Sequence, residues 1–236
     1  ARCPPGAIGL GVAAIAIFVF WPVSTVLGQA AAADPGESAL ANLIDRLTAR
    51  DIWSLACVQG GGRCGVFWNS VLMATLTGVL VTLLGLAFAL VATRTGFRFQ
   101  KGLKLLTVLP IITPPFVIGL AVILLFGRNG TITNLMADAF GLEATRYIYG
   151  LSGILLTQTL AFTPIAFLVL IGVVQGIAPA MEEAAQTLRA SRWQTFRHVT
   201  WPLMRPGLAN AFLIGFIESL ADFGNPLVMG GGYEVL

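Results

Sequence analysis

Residues 66–104 read VFWNSVLMATLTGVLVTLLGLAFALVATRTGFRFQKGLK. The run up to Thr93 carries no charge, and it exceeds the roughly 20 apolar residues that a helix needs to cross a bilayer. It does not alternate with period two, so it is not a strand of a transmembrane barrel. Arg94, Arg98, Lys101 and Lys104 then follow with no acid among them. An uncharged run that ends on a short basic loop reads as a spanning helix whose C-terminal end is cytoplasmic. This stretch sets an all-α integral membrane fold.

The rest of the chain follows the same pattern. Of its 236 residues 56% are hydrophobic and only 11% charged, and the mean hydropathy is +0.84. A soluble domain carries about 25% charge, so a water-soluble enzyme, a disordered chain and a disulfide-dense scaffold are all excluded. Further apolar stretches run over Ile8–Gly28, Leu105–Phe126, Gly150–Gln175 and Gly207–Met229. With Val66–Thr93 they make five crossings, in a chain with room for five or six.

Charge orients them. Arg2, the 94–104 loop and the 178–205 loop place nine basic residues and two acids on one side. The other side holds five basic residues and seven acids. The positive side is cytoplasmic, which puts the N-terminus in the cytoplasm and the crossings among the lipids of a bacterial inner membrane. The first segment has a second reading as a secretory signal, with Gln29–Ala33 as its cleavage region. Its apolar run is longer than such signals carry, which favours a retained helix.

Cys57 and Cys64 share the outer loop as CVQGGGRC. In an oxidising compartment they form a disulfide or stay as two free thiols. Asn129-Gly-Thr131 has the form of a glycosylation acceptor and reads here as a turn. Enzymatic signatures are missing: there is no phosphate-binding GxxxxGK[ST] loop and no GxSxG elbow, and His198 is the sole histidine. We therefore expect no catalytic residue, no metal site and no cofactor held by this chain. The basic residues stand in loops without interleaved aromatic platforms, which argues against nucleic acid as a partner.

The loop APAMEEAAQTLRASRWQTFRHVTWPLMRP (178–206) is the most informative stretch outside the crossings. Pro179 suits the first turn of a helix, and Glu182 and Glu183 suit the positive end of its dipole. Ala184 and Ala185 leave a smooth surface for close packing by another protein. Ser191 and Gln194 have capping-box spacing, which predicts a second short helix starting at Ser191. Pro202 and Pro206 punctuate the approach to the last crossing. An ordinary interfacial helical loop would share these features.

Glu183-Ala-Ala185, with Pro202 closing the loop, resembles the EAA loop of permease subunits of bacterial ABC importers. The family pattern is EAA, three residues, Gly, nine residues and Ile-x-Leu-Pro. Here Arg189 stands in place of the Gly, Val199 of the Ile and Trp201 of the Leu. A glycine there ends the helix in the left-handed conformation, which costs another residue about 1–2 kcal/mol. Either the turn is built differently here or coupling is weakened. TVLPIITPPFVIGLAVILLFGRNG (107–130) and FIESLADFGNPLVMGG (216–231) look like the ferric-iron branch, first half of its two-part permeases. Related branches carry 2-aminoethylphosphonate, polyamines, sulfate or thiosulfate.

That resemblance implies a type I permease fold with residues 1–65 as an N-terminal helix and periplasmic loop. Residues 66–236 would be the permease core, ending before a last helix. It also implies partners: a periplasmic substrate-binding protein, a second permease half or copy, and two ATPase subunits that bind ATP and magnesium. Glu183, Ala184, Ala185, Arg189 and Pro202 would couple this chain to the ATPases. An ATP-independent channel or secondary transporter is the rival class, and it would need no such surface on the 178–206 loop.

Inside the last crossing, Glu218 and Asp222 are four apart and share a helix face. An acid at the centre of a spanning helix costs roughly 2.5–3.5 kcal/mol on insertion, so both should face protein or water. Gly224 and Pro226 are expected to break the helix, as happens beside substrate sites in transporters. Glu218, Asp222 and Asn225 are thus the candidates to line a cation-tolerant pathway. The alternative is that the acids bond a neighbouring helix or cap the broken segment. Pro110, Pro114, Pro115 and Pro164 predict bends, and Gly172-x-x-x-Gly176 has the spacing of a close helix contact.

Overall fold

The computed structural model describes residues 13–30, 39–55, 57, 64–95, 100–141 and 148–235. The chain divides into two compact units, Ala1–Gly65 and Val66–Leu236. In the first, α1 is a short apolar helix, Ala13–Gln29, and α2 covers Ala39–Thr48. One helical turn at Arg50–Trp53 follows. Cys57 and Cys64 are joined by a disulfide, with their Cα atoms 4.8 Å apart. The expected start of the first crossing, at Ile8, lies outside the described residues.

The second unit is built of helices joined by short turns, with no strand among its described residues. It contains α3 (Val66–Arg94), α4 (Gln100–Val108), α5 (Pro115–Phe126), α6 (Thr131–Phe140) and α7 (Leu151–Gly176). Beyond the last long helix come α8 (Pro179–Thr187), α9 (Arg192–Thr195), α10 (Trp201–Ala221) and α11 (Gly224–Met229). A π-helical turn, Phe196–Thr200, joins α9 to α10. Among the described residues three segments are long and apolar enough to cross a membrane: Val66–Arg94, Pro115–Ala139 and Leu151–Gly176. The 21-residue α10 is not one of them, because Arg205, Asn210 and Glu218 dilute its apolar character.

Helices α3, α7 and α10 pack together. Small residues make this possible. Ala74, Gly78, Gly85, Ala89 and Ala92 recur every three to seven positions along α3, and all are buried. A Cβ added at Gly85 would lie 2.9 Å from the Phe167 backbone nitrogen. One at Gly215 would lie 2.5 Å from Val81 Cγ2. In lipid the tails are as apolar as leucine, so van der Waals fit rather than transfer from water holds such a core. Phe167, Leu170 and Met204 fill it, each essentially inaccessible. The Gly172/Gly176 pair takes no part: no atom approaches a Cβ built at either within 4 Å. The packed face of α7 carries Ala166, Phe167, Leu170 and Val174 instead.

Two of the expected crossings are not single helices. The stretch 105–126 is interrupted: α4 passes into a 3-10 turn at Leu109–Ile112, and α5 begins only at Pro115. Thr113 (ψ 137°) and Pro114 (ψ 139°) are extended. Each precedes a proline, whose ring excludes the helical region from the residue before it. The stretch 207–229 is broken as well, at Asp222 and Phe223 between α10 and α11. Pro164, by contrast, sits inside α7 without ending it.

Candidate functional site

The break after α10 is organised by Asp222. Its Oδ1 accepts hydrogen bonds from the Gly224 N–H (3.1 Å) and the Asn225 N–H (3.2 Å). These are N–H groups of the first turn of α11, which have no partner within the helix. The Oδ2 accepts from Asn225 Nδ2 at 2.8 Å and from Gln158 Nε2 at 2.9 Å. Gln158 lies two turns into α7, and its Oε1 accepts from Thr77 Oγ1 of α3 (2.9 Å) and Ser219 Oγ of α10 (2.7 Å). One amide therefore ties three packed helices to the broken segment. Thr77, Gln158, Ser219 and Asn225 are each 0% exposed.

Asn225 Oδ1 has no hydrogen-bond partner. It faces Gly119 of α5 so closely that a Cβ there would lie 2.6 Å from it. Glu218 stands apart from this hub. It is half-buried and lines a cavity of about 280 Å³ with Asp222, Pro115, Phe116 and Phe162. The structure thus joins Asp222 and Asn225, and it gives Asp222 the capping and helix-bonding contacts weighed as the alternative to a pathway role. Among the described residues no group of three or more His, Cys, Asp or Glu side chains is placed to hold a metal.

Sequence reasoning passed over Gln158, Thr77 and Ser219. Gln158 had a signal: an amide in the middle of an apolar span needs a partner in the bundle. The threonine and serine had none, because such hydroxyls routinely bond their own helix backbone.

The loop after α7 is exposed. Glu183 and Ala184 face solvent, Ala185 is half-buried, and Pro202 is exposed in the first turn of α10. Helix α8 ends in a Schellman motif. The Ala190 N–H donates to Ala185 O (3.1 Å) and the Arg189 N–H to Gln186 O (2.9 Å), the paired bonds that close such an end. Arg189 occupies the left-handed position with φ 59°, the one described non-glycine residue with positive φ. The turn is therefore built as a glycine would build it, with an arginine bearing the strain. At Ser191 the capping box forms: the Gln194 N–H donates to Ser191 Oγ (3.3 Å) and the Ser191 N–H to Gln194 Oε1 (2.8 Å).

Residues 81–235 match the family described as binding-protein-dependent transport system inner membrane component. The chain belongs to that family. Most of the hub and the whole 178–206 loop of this permease fall inside the match. The permease is 48% identical over 171 residues to the ferric transport system permease protein FbpB of Actinobacillus pleuropneumoniae, covering 72% of this chain and 25% of that one. It has the same identity, over 72% of this chain and 27% of the relative, to the permease FbpB 1 of Haemophilus influenzae. The chain thus spans about a quarter of the length of these curated relatives. The molybdenum transport system permease protein ModB of Azotobacter vinelandii is 31% identical over 67% of this chain and 69% of its own.

Proposed function

We propose that this permease forms part of the membrane pathway of an ATP-driven importer of ferric iron. A periplasmic binding protein delivers the cargo, a second permease half or copy completes the pathway, and two partner ATPases supply the energy. The observation that carries the substrate is the 48% identity over 171 residues to a ferric transport permease, against 31% to a molybdenum permease. The loop supports the ATPase contact. Its helix α8 presents Glu183 and Ala184 to solvent and ends in a defined turn, the form that a docking helix requires. On this reading the loop is cytoplasmic, the loop that carries Cys57 and Cys64 is periplasmic, and Arg189 and Pro202 belong to the docking surface.

Glu218 is the pathway acid under this proposal. It stands on a cavity wall without the partners that occupy Asp222 and Asn225. Hard ferric iron favours oxygen ligands, and an isolated carboxylate guides such a cargo without trapping it.

The test is uptake of labelled ferric iron in cells carrying the full-length gene with its transport partners, against a deletion of the permease. Uptake should need the permease and ATP, and it should ignore excess molybdate or 2-aminoethylphosphonate. Iron uptake unchanged by the deletion would overturn the substrate. Glu183→Arg should abolish co-purification of the ATPase while leaving thermal stability within about 0.5 kcal/mol, as expected of an exposed site. An ATP-independent channel would tolerate that change.

A further inference from the structure

The π-turn and the start of α10 shape a groove of about 710 Å³, apart from the hub and from α8, that shares only Pro202 with the residues assigned to the ATPase contact. Trp193, Phe196 and Trp201 give it an aromatic wall, and Arg197, His198 and Arg205 line it without any carboxylate. Trp193 stacks on Phe196 with ring centroids 5.8 Å apart, and Phe196 meets Trp201 at 6.3 Å. Trp193 remains 66% exposed. An aromatic wall of this extent at the mouth of a cationic groove is costly to leave in water and requires an occupant that is part apolar, part anionic.

Continuity along α10 identifies that occupant. At 100° per residue, Pro202 of the groove falls on the same face as Leu213 and Leu220, with Arg205 at the edge of that face. The buried residues Met204, Gly207, Ala211 and Gly215 fall on the opposite face. Leu213 and Leu220 are 53% and 43% exposed. One face of α10 therefore runs from a basic, tryptophan-lined groove straight onto an apolar strip. That is the profile of a phospholipid, with its phosphate at the guanidinium groups and its acyl chains along the leucines. Tryptophan favours the headgroup level of a membrane, and basic pockets at the ends of spanning helices favour anionic headgroups.

We infer that the groove formed by Trp193, Phe196, Arg197, Trp201 and Arg205 is a binding site for the phosphate headgroup of an anionic phospholipid at one membrane surface. The site does not depend on which substrate the permease carries. Arg197 and Arg205 supply planar donors that match phosphate oxygens, and the indoles hold the glycerol region.

The experiment uses the full-length permease with its ATPase, stripped of lipid in neutral detergent. Retained lipid is read by native mass spectrometry after addition of phosphatidylglycerol, phosphatidylcholine or inorganic phosphate. Phosphatidylglycerol should bind at least tenfold more tightly than phosphatidylcholine. The double substitution Arg197→Gln, Arg205→Gln should weaken it at least tenfold, and Arg197→Lys, Arg205→Lys should retain most of it. Equal retention by the wild type and the Gln variant would overturn the inference, as would equal binding of the two lipids. Full displacement by millimolar phosphate would make the ligand a free anion instead. Hydrogen exchange over 193–205 supplies the other arm. Protection that requires the ATPase or a second permease half, with no phosphatidylglycerol present, would assign the groove to a protein partner and overturn the lipid site. Protection by phosphatidylglycerol alone would support it.

Discussion

The hub around Gln158 and the turn at Arg189 both finish off a helix end, and they do so by opposite means. At the hub the N–H groups at the start of α11 are satisfied by the Asp222 side chain, itself held by an amide from another helix. At Arg189 the last carbonyls of α8 are satisfied by backbone alone, and the cost appears as a left-handed φ of 59°. The first device is buried and depends on partners 61 to 81 residues away in the chain. The second is exposed and complete within six residues. Long-range side-chain networks fix the relative placement of helices, whereas a strained local turn fixes only the surface that one helix presents. Damage to the hub should therefore be read in stability, and damage to the turn in what docks on it.

Three substitutions separate the two. Gln158→Leu should have the largest effect, about 2–4 kcal/mol of unfolding free energy, because it takes the acceptor from the buried Ser219 and Thr77 hydroxyls and removes one of the four hydrogen bonds that Asp222 accepts. Unfolding of the purified permease in detergent measures it, and a loss below about 1 kcal/mol would mean that the hub is not a fastener. Gly119→Ala comes next. Its methyl group would sit 2.6 Å from Asn225 Oδ1, and relieving that overlap should cost about 1–3 kcal/mol; an unchanged melting temperature would show that α5 and α11 slide apart freely. Arg189→Gly is the smallest and has the opposite sign. Removing the left-handed strain gains about 1–2 kcal/mol, from which the greater freedom of unfolded glycine subtracts about 0.5–1 kcal/mol. Amide exchange across 186–190 should slow several-fold, and the unfolding free energy should rise by no more than about 1.5 kcal/mol. Faster exchange would place the strain elsewhere.

The same contrast explains what the sequence discloses. The long helices were legible nearly to the residue, Val66–Thr93 against Val66–Arg94 and Gly150–Gln175 against Leu151–Gly176. An unbroken apolar run of membrane length has few other outcomes. The capping box at Ser191 was legible because its partners are three residues apart. The prolines at 110, 114 and 115 announced a bend, but hydropathy read 105–126 as one crossing where the helix stops at Thr113 and Pro114, because a proline ring forbids the helical region to the residue before it. The part of Gln158 was invisible for a different reason. Its polarity was plain, but nothing near it in sequence names Thr77, Ser219 and Asp222 as its partners. Close packing at Gly85 and Gly215, and openness at Gly172, likewise depend on which face of each helix meets a neighbour.

The hub also has an order in time. A ribosome delivers Thr77 first, then Gln158, and only later Ser219 and Asp222. Asp222 is the sole ionisable member of the network. When that acid emerges, the amide that will receive it has already been made and belongs to a helix apolar enough to stay in lipid unaided. The helix that carries Glu218 and leads to Asp222 is not among the described segments of that length and apolar character. Vectorial synthesis thus makes the earlier helices the insertion site for the later one: the most polar segment of the bundle is threaded last, into a socket already waiting.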